Sequence, residues 1–232
     1  MHPTDKAARI AGAIYLLTAL TAPFSLIYVP RTLIVGGNAT ATANNILAHE
    51  TLFRAGIFVD LISGVIFIFV VMALYRLLSS VNKTHASLMV ILVLVSVAVG
   101  FVHELNNVAA LTLFRGADFL AVLEKPQRDA LAMLFLRLHG QGNVINEIFW
   151  GLWLFPFGVL VFRSRLLPRV LGLWLIINAF AYLALSFTGL VLLQYQEMVS
   201  RITFPVLFGE LAIMLWLVTM GAKEQPLAAA AS

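Results

Sequence analysis

The sequence contains no cysteine and few charged residues, and each shortage excludes a class of protein. Without cysteine the chain has no disulfide framework and no thiolate ligand for zinc, haem or an iron–sulfur cluster. Charged residues make up only 11% of the 232 residues, whereas 61% are apolar, and the mean hydropathy is +0.96. Such a composition cannot cover a water-soluble surface, so the sequence predicts an integral membrane protein.

Sequence motifs of common enzyme classes are also missing. The chain has no nucleotide-binding glycine loop, no nucleophile elbow and no complete metal-binding motif. Its basic residues, which give a net charge of +4, are scattered near the ends of apolar runs, where lipid headgroups account for them. We therefore expect membrane lipids as partners, no nucleic acid and no cofactor.

Six apolar runs are almost free of charge, and a bilayer core needs roughly 20 such residues per helix. Two of the runs are shorter, but both extend through flanks with few ionisable groups. The sequence predicts an all-α fold, a polytopic membrane bundle of six transmembrane helices in one domain over residues 1–225, followed by a disordered alanine-rich tail at 226–232. The runs are Ile10–Pro30, Leu61–Tyr75, Ala86–Val102, Ile148–Phe162, Val170–Leu193 and Ile202–Gly221.

The distribution of basic residues predicts that both termini lie in the cytoplasm. Compact basic loops follow the second span, with Arg76 and Lys83, and the fourth span, with Arg163, Arg165 and Arg169. Short loops near helix ends are where the positive-inside rule acts most strongly. The longer connections, 31–50 and 115–128, are then outside.

The helical pattern from Gln127 to Phe162 is longer than a membrane requires. As one helix it would extend about 54 Å, against a hydrocarbon core of about 30 Å. We expect it to bend near Gly140 and Gly142. Residues Gln127–Leu138 would then form an extra outer helix at the interface before the fourth span.

Ionisable side chains at membrane depth are the most informative feature, because charge there is costly and tends to be functional. Asp60, Glu104 and Glu147 come from three helices. Their spacing from the cytoplasmic ends of those helices places all three roughly 24 to 27 Å above the cytoplasmic boundary of the membrane. Glu210 lies deeper, at about 18 Å. No basic residue on its own helix can pair with it.

Helical spacing groups further polar residues with these carboxylates. His139 and Asn143 share a face of the fourth span with Asn146, and His103 belongs to a small and polar stripe on the third. Such stripes face the bundle rather than lipid. Two interpretations stay open: the groups pair with one another and hold the helices together, or they line a cavity for a ligand or ion.

A metal site is the weaker possibility. The segment His103-Glu104-x-x-Asn107 resembles the zinc-protease pattern H-E-x-x-H but lacks its second histidine. His103 and His139 with a carboxylate still match the ligands that zinc takes. Hydrogen bonding of each histidine to a neighbouring carboxylate is the commoner arrangement, so we predict no metal.

Short motifs along nearly the whole chain resemble one family, a bacterial multi-pass membrane family known as domain of unknown function 4386. The resemblance implies a prokaryotic inner-membrane protein of about six helices, with no activity attached. It favours Arg54, Asp60, His139 and Glu210 as pattern residues, whereas His103, Glu104 and Glu147 depart from the pattern. The motifs are Ala8–Gly12, Leu52–Gly56 with Asp60–Leu61, Leu74–Leu78 with Val81–Asn82, Leu138–Gly140, Phe149–Pro156, Leu167–Gly172, and Gly209–Glu210 with Leu215–Leu217.

Three hypotheses for function follow. The first is a membrane protein with an outward-facing polar pocket for a small molecule or proton. There Asp60 and Glu210 would titrate, Arg54 would anchor an anion and His139 would relay protons. The second is an intramembrane enzyme, either a metal-assisted hydrolase or a cyclase or isomerase that uses paired carboxylates on a lipophilic substrate. The third is a structural or accessory subunit without a cavity. The sequence does not determine the oligomeric state.

Overall fold

The computed structural model describes residues 2–224, and within this range the chain is helical without strands. Six helical segments are long and apolar enough to cross a membrane, as predicted. The predicted tail at 226–232 and the end of the predicted domain at 225 lie outside the described residues. In order, the six spans are Pro3–Leu33, Glu50–Leu78, Lys83–Arg115, Lys125–Ser164, Arg169–Leu190 and Leu193–Thr219.

The first and last spans are interrupted, whereas the other four are continuous. In the first, the α-helix Pro3–Pro23 passes through a π-helical turn, Phe24–Tyr28, into the short helix Val29–Leu33. Proline has no N–H to donate and clashes with the carbonyl one turn earlier, which explains a widened turn directly after Pro23.

The last span begins with the 3-10 turn Leu193–Tyr195 and the helix Gln196–Thr203. It breaks at residues 204–207, which contain Pro205, and resumes as Phe208–Thr219. A proline at this position cannot supply the next backbone hydrogen bond, so the helix stops here. The two interrupted spans lie side by side in the bundle.

Both ends of the described chain, residues 2 and 224, lie on the same face of the bundle, called here the terminal face, which also contains the connections 79–82 and 165–168. The guanidinium of Arg9 donates to the carbonyl oxygens of Val218 and Thr219, each at 2.9 Å. The backbone N–H of Lys223 donates to the carbonyl of Leu166 at 3.0 Å. The opposite face, called the loop face, contains the connections 34–49 and 116–124.

The prediction of a separate outer helix before the fourth span is wrong. Lys125–Ser164 is one continuous α-helix of 40 residues, and it does not break at Gly140 or Gly142. At 1.5 Å per residue it is about 60 Å long, so its first part extends beyond a bilayer core on the loop face. Gly142 has a different role: a Cβ there would lie 2.8 Å from His103, so glycine permits close contact with the third span.

The first long connection, predicted as a loop with turn and cap residues, contains a helix. Asn38 accepts a hydrogen bond from the N–H of Ala41 and caps the helix Ala39–Ala48. This helix packs on the projecting part of the fourth span and the end of the third, and closes the loop face with a second apolar cluster. Its buried residues are Val29, Leu33, Ala43, Ile46, Phe53, Ala110, Leu111, Leu113, Phe114, Ala132 and Leu136.

The main apolar core lies toward the terminal face and depends on close backbone contacts. A Cβ on Gly158 would lie 2.7 Å from the carbonyl oxygen of Gly172, so the fourth and fifth spans touch backbone to backbone. Gly12 packs in the same way against Leu217 of the last span. Small residues at such crossings are typical of membrane helices, where van der Waals packing drives association.

The absence of cysteine allows a direct test of the predicted orientation. Ala121→Cys places a thiol on the loop face and Ser80→Cys places one on the terminal face, both at exposed positions. If both termini are cytoplasmic, a membrane-impermeant maleimide will label Ala121→Cys in intact cells and Ser80→Cys only after lysis. The cysteine-free parent chain is the control, and the reverse pattern would contradict the predicted orientation.

Two nearby glycines of the fourth span should respond in opposite ways to alanine. Gly142→Ala forces a methyl group against His103, and overpacking of this kind costs about 1–3 kcal/mol, so the melting temperature should fall. Gly140→Ala meets nothing within 4 Å and should gain up to about 1 kcal/mol of helix propensity. Tryptophan fluorescence melts of the purified variants would measure both changes. Equal shifts in the two variants would contradict the close contact at Gly142.

Candidate functional site

A central cavity of about 500 Å³ lies among all six spans. Its walls are mainly apolar and aromatic, and polar groups face it at separate places. Trp150 and Trp153 of the fourth span form one side, opposite residues of the first and last spans. The polar residues that line it are Tyr15, Thr18, Asp60, Ser63, Ser96, Asn146, Tyr182 and Glu210.

Glu210 is the carboxylate at the end of the cavity nearer the terminal face. The hydroxyl of Tyr15, which is buried in the first span, donates to Glu210 Oε2 at 2.5 Å. The hydroxyl of Tyr182 in the fifth span is also close enough to hydrogen bond to this carboxylate. Two tyrosines from different helices therefore supply the partners that the helix of Glu210 lacks.

Tryptophan rings fix the position of both tyrosines. Trp153 meets Tyr15 edge to face with ring centroids 6.1 Å apart, and Trp150 meets Tyr182 in the same way at 5.8 Å. Such aromatic pairs stabilise a structure by about 0.5–1.5 kcal/mol beyond the contribution of their buried surface area. The aromatic segment of the fourth span thus packs and, at the same time, lines the cavity.

A pair of hydrogen bonds joins the third and fourth spans at the cavity wall. Ser96 Oγ donates to Asn146 Oδ1 at 3.0 Å, and Asn146 Nδ2 donates to the carbonyl of Ser96 at 3.2 Å. Both side chains are buried. Each polar atom of this contact has its partner inside the bundle, so the pair stabilises the helix crossing.

Asp60 lies between the central cavity and a second, smaller one of about 40 Å³ on the side of the loop face. It accepts a hydrogen bond from Ser25 Oγ at 3.0 Å. Glu104, Asn107 and His139 line the smaller cavity with it.

Two histidines and a glutamate meet beside this smaller cavity, and we call His103, Glu104 and His139 the histidine cluster. Glu104 and His139 line the cavity itself. The Nδ1 atoms of the two histidines are 3.3 Å apart, and His139 Nδ1 is 3.4 Å from Glu104 Oε1. One ligand atom from each residue lies within 4.8 Å of the other two. The set offers two nitrogens and a carboxylate oxygen, which suit a divalent transition metal.

The other predicted site residues are placed differently. Asn143 adjoins the histidine cluster, with its Nδ2 3.5 Å from His139 Nε2. Glu147 is half-buried and lines neither cavity. Arg54 is exposed and forms the predicted helical ion pair with Glu50, at 2.7 Å, so the structure does not bring it to the other site residues.

Sequence reasoning missed both Tyr15 and Tyr182 as site residues. Nothing in the local pattern around Tyr15 marks it, because its partner is 195 positions away in the last span. The sequence signal lay instead in Glu210. A deep carboxylate without a basic partner requires hydrogen-bond donors from neighbouring helices.

Comparison with known proteins shows the family of this chain. No curated protein and no solved structure matches it. The family model described as domain of unknown function (DUF4386) matches residues 10–221, which include all six spans except the first residues of the first. The chain therefore belongs to the DUF4386 family of integral membrane proteins.

Proposed function

We propose that this protein binds a small, mainly apolar molecule in its central cavity, with Glu210 holding the polar end of the molecule. The observation that carries this proposal is the cavity itself, about 500 Å³ in volume and bounded by every span. Cavities of about 300–1,000 Å³ with apolar walls and few polar groups are typical of small-molecule sites. A proton-binding site or a purely structural bundle would need no such volume.

The polar end of the cavity suggests the chemistry of the ligand. A carboxylate can accept about four hydrogen bonds, and the two tyrosines at Glu210 use only part of that capacity. Glu210 also lines the cavity, so its remaining acceptor positions are available there. A ligand with a hydroxyl or amine group at one end and a hydrocarbon body would match both the carboxylate and the walls.

Access from the bilayer suits such a ligand. Six lining residues are exposed, and all of them are apolar. Three of these, Leu26, Ile27 and Phe204, lie in the interrupted parts of the first and last spans, where the helices are least regular. The six are Pro23, Leu26, Ile27, Phe101, Phe204 and Phe208.

The membrane that holds this site is, in our proposal, the bacterial cytoplasmic membrane, with both termini in the cytoplasm. The short basic loops at 76–83 and 163–169 lie on the terminal face and support this orientation. The two cavities would then lie toward the outer half of the bilayer, within reach of lipids and lipophilic molecules.

A photoreactive ligand tests the cavity directly. We would treat purified protein in lipid nanodiscs with a medium-chain alkyl alcohol that carries a diazirine, and map the adducts by peptide mass spectrometry. Adducts are expected on Glu210, Tyr182 and Trp150. Gly100→Phe should fill the cavity, because a Cβ at Gly100 meets only Asn146 at 3.7 Å, and labelling should fall about tenfold, the effect of roughly 1.4 kcal/mol.

The matched control is Gly140→Phe, which adds the same side chain where nothing lies within 4 Å. It should leave the labelling of Glu210 unchanged. A second variant, Tyr182→Phe, removes one hydroxyl from the carboxylate and should change the labelled fraction at Glu210 without filling the cavity. Adducts confined to lipid-facing side chains, or equal labelling in Gly100→Phe and Gly140→Phe, would overturn the proposal.

A further inference from the structure

We propose that His103, Glu104 and His139 form a binding site for one divalent first-row transition-metal ion, zinc in particular, with a further coordination position on the side of Asp60. The histidine cluster is separate from the Glu210 end of the central cavity, so this inference does not depend on the proposed ligand. It rests on the spacing of the ligand atoms, on the surrounding charges and on the smaller cavity.

The spacing of the ligand atoms fits tetrahedral zinc. Zinc binds histidine nitrogen at about 2.0–2.1 Å and carboxylate oxygen at about 2.0–2.2 Å, so two ligands of a tetrahedral ion lie about 3.4 Å apart. Two separations in the cluster, 3.3 Å between the Nδ1 atoms and 3.4 Å from His139 to Glu104, agree with this value. All three ligand atoms lie within 4.8 Å of one another, and binding of the ion would bring His103 and Glu104 to the same spacing.

His139 Nδ1 has more polar neighbours than one hydrogen bond can use. They are His103 Nδ1 at 3.3 Å, Asn107 Nδ2 at 3.2 Å, Glu104 Oε1 at 3.4 Å and the carbonyl oxygen of His103 at 3.4 Å. A ring nitrogen has one lone pair or one hydrogen, so it makes one good hydrogen bond. A cation among these groups would instead interact favourably with both nitrogens and the carboxylate at once.

The charges around the cluster also favour a cation. Glu104 is 3% exposed, and Asp60 lines the smaller cavity with it. Within residues 2–224 no lysine or arginine forms an ion pair with either carboxylate. A divalent ion beside Glu104 would supply the compensating charge that an ionised carboxylate in an apolar bundle lacks.

The group next to the carboxylate ligand matches the surroundings of known metal sites. Asn107 Nδ2 donates to Glu104 Oε2 at 3.0 Å. Such outer contacts orient the ligands of a metal. Asp60, Glu104 and His139 face the smaller cavity of about 40 Å³, which has room for a water molecule as a fourth ligand.

The test is metal analysis of the full-length protein, purified in detergent through a tag without histidine. After removal of metal with a chelator, zinc is added back, the excess is removed and bound zinc is measured. We expect about one zinc ion per chain in the parent protein and less than about a tenth of that in Glu104→Gln and His139→Ala. His49→Ala removes an exposed histidine outside the cluster and should retain the ion.

Two further measurements guard against misfolded variants. Zinc should raise the melting temperature of the parent protein and of His49→Ala but not of Glu104→Gln, since an ion that binds only the folded state stabilises it. Cobalt in place of zinc should give the intense visible absorption of tetrahedral Co²⁺, and cysteine cannot contribute because the chain has none. Iron bound in the same proportion and lost in the same variants would support the site with a different ion.

Three results would overturn the proposal. One is a parent protein that takes up no metal and whose melting temperature zinc does not change. Another is equal metal content in the parent protein and in folded Glu104→Gln. The third is loss of the ion in His49→Ala to the same extent as in His139→Ala.

Discussion

The cost of placing a carboxylate among apolar side chains governs the interior of this bundle. Three of the spans carry such a group with a hydrogen-bond partner, and the arrangement differs among the three. Glu210 accepts from Tyr15, Asp60 accepts from Ser25, and Glu104 pairs with Asn107 and His139. Each partner comes from the same or a neighbouring helix, so satisfying these acids also fixes which helix faces meet.

Packing and polar contacts divide the bundle into layers. Toward the terminal face, glycines such as Gly158 and Gly172 bring the fourth and fifth spans into backbone contact, and the core there is apolar. The central cavity lies next to this core, and Trp150 and Trp153 of the fourth span line it. The histidine cluster lies beyond it, beneath the apolar cap formed by the helix Ala39–Ala48. Close packing at one end and a cap at the other leave the middle of the bundle open.

Much of the fold could be predicted because helix length and apolar runs are local properties of the sequence. The same holds for depth: counting residues from the ends of the spans placed Asp60 and Glu104 at one level, and both line the smaller cavity. Counting does not show which face of a helix a residue occupies or which helices lie next to it. Arg54 was assigned to the pocket because it matches the family pattern, but in the structure it is exposed and pairs with Glu50.

Glycine was the other source of error, because the same residue serves two physical purposes. Gly142 suggested a bend, since glycine weakens a helix. In the structure its missing side chain makes room for the ring of His103, and the helix continues through it. Which purpose applies depends on a neighbour 39 positions away in sequence, and a single sequence does not reveal that neighbour. The pairing of Tyr15 with Glu210 escaped prediction for the same reason.

The interruptions at Pro23 and Pro205 have a mechanical consequence for the central cavity. Both lie in the two spans that form one wall of it, whereas the second to fifth spans have unbroken backbone ladders. A break that has already lost its regular hydrogen bonds bends at lower cost than an intact turn. One wall of the cavity therefore bends more easily than the other walls. Rotations at Pro23 and Pro205 can change the volume of the cavity while the distances within the histidine cluster stay the same.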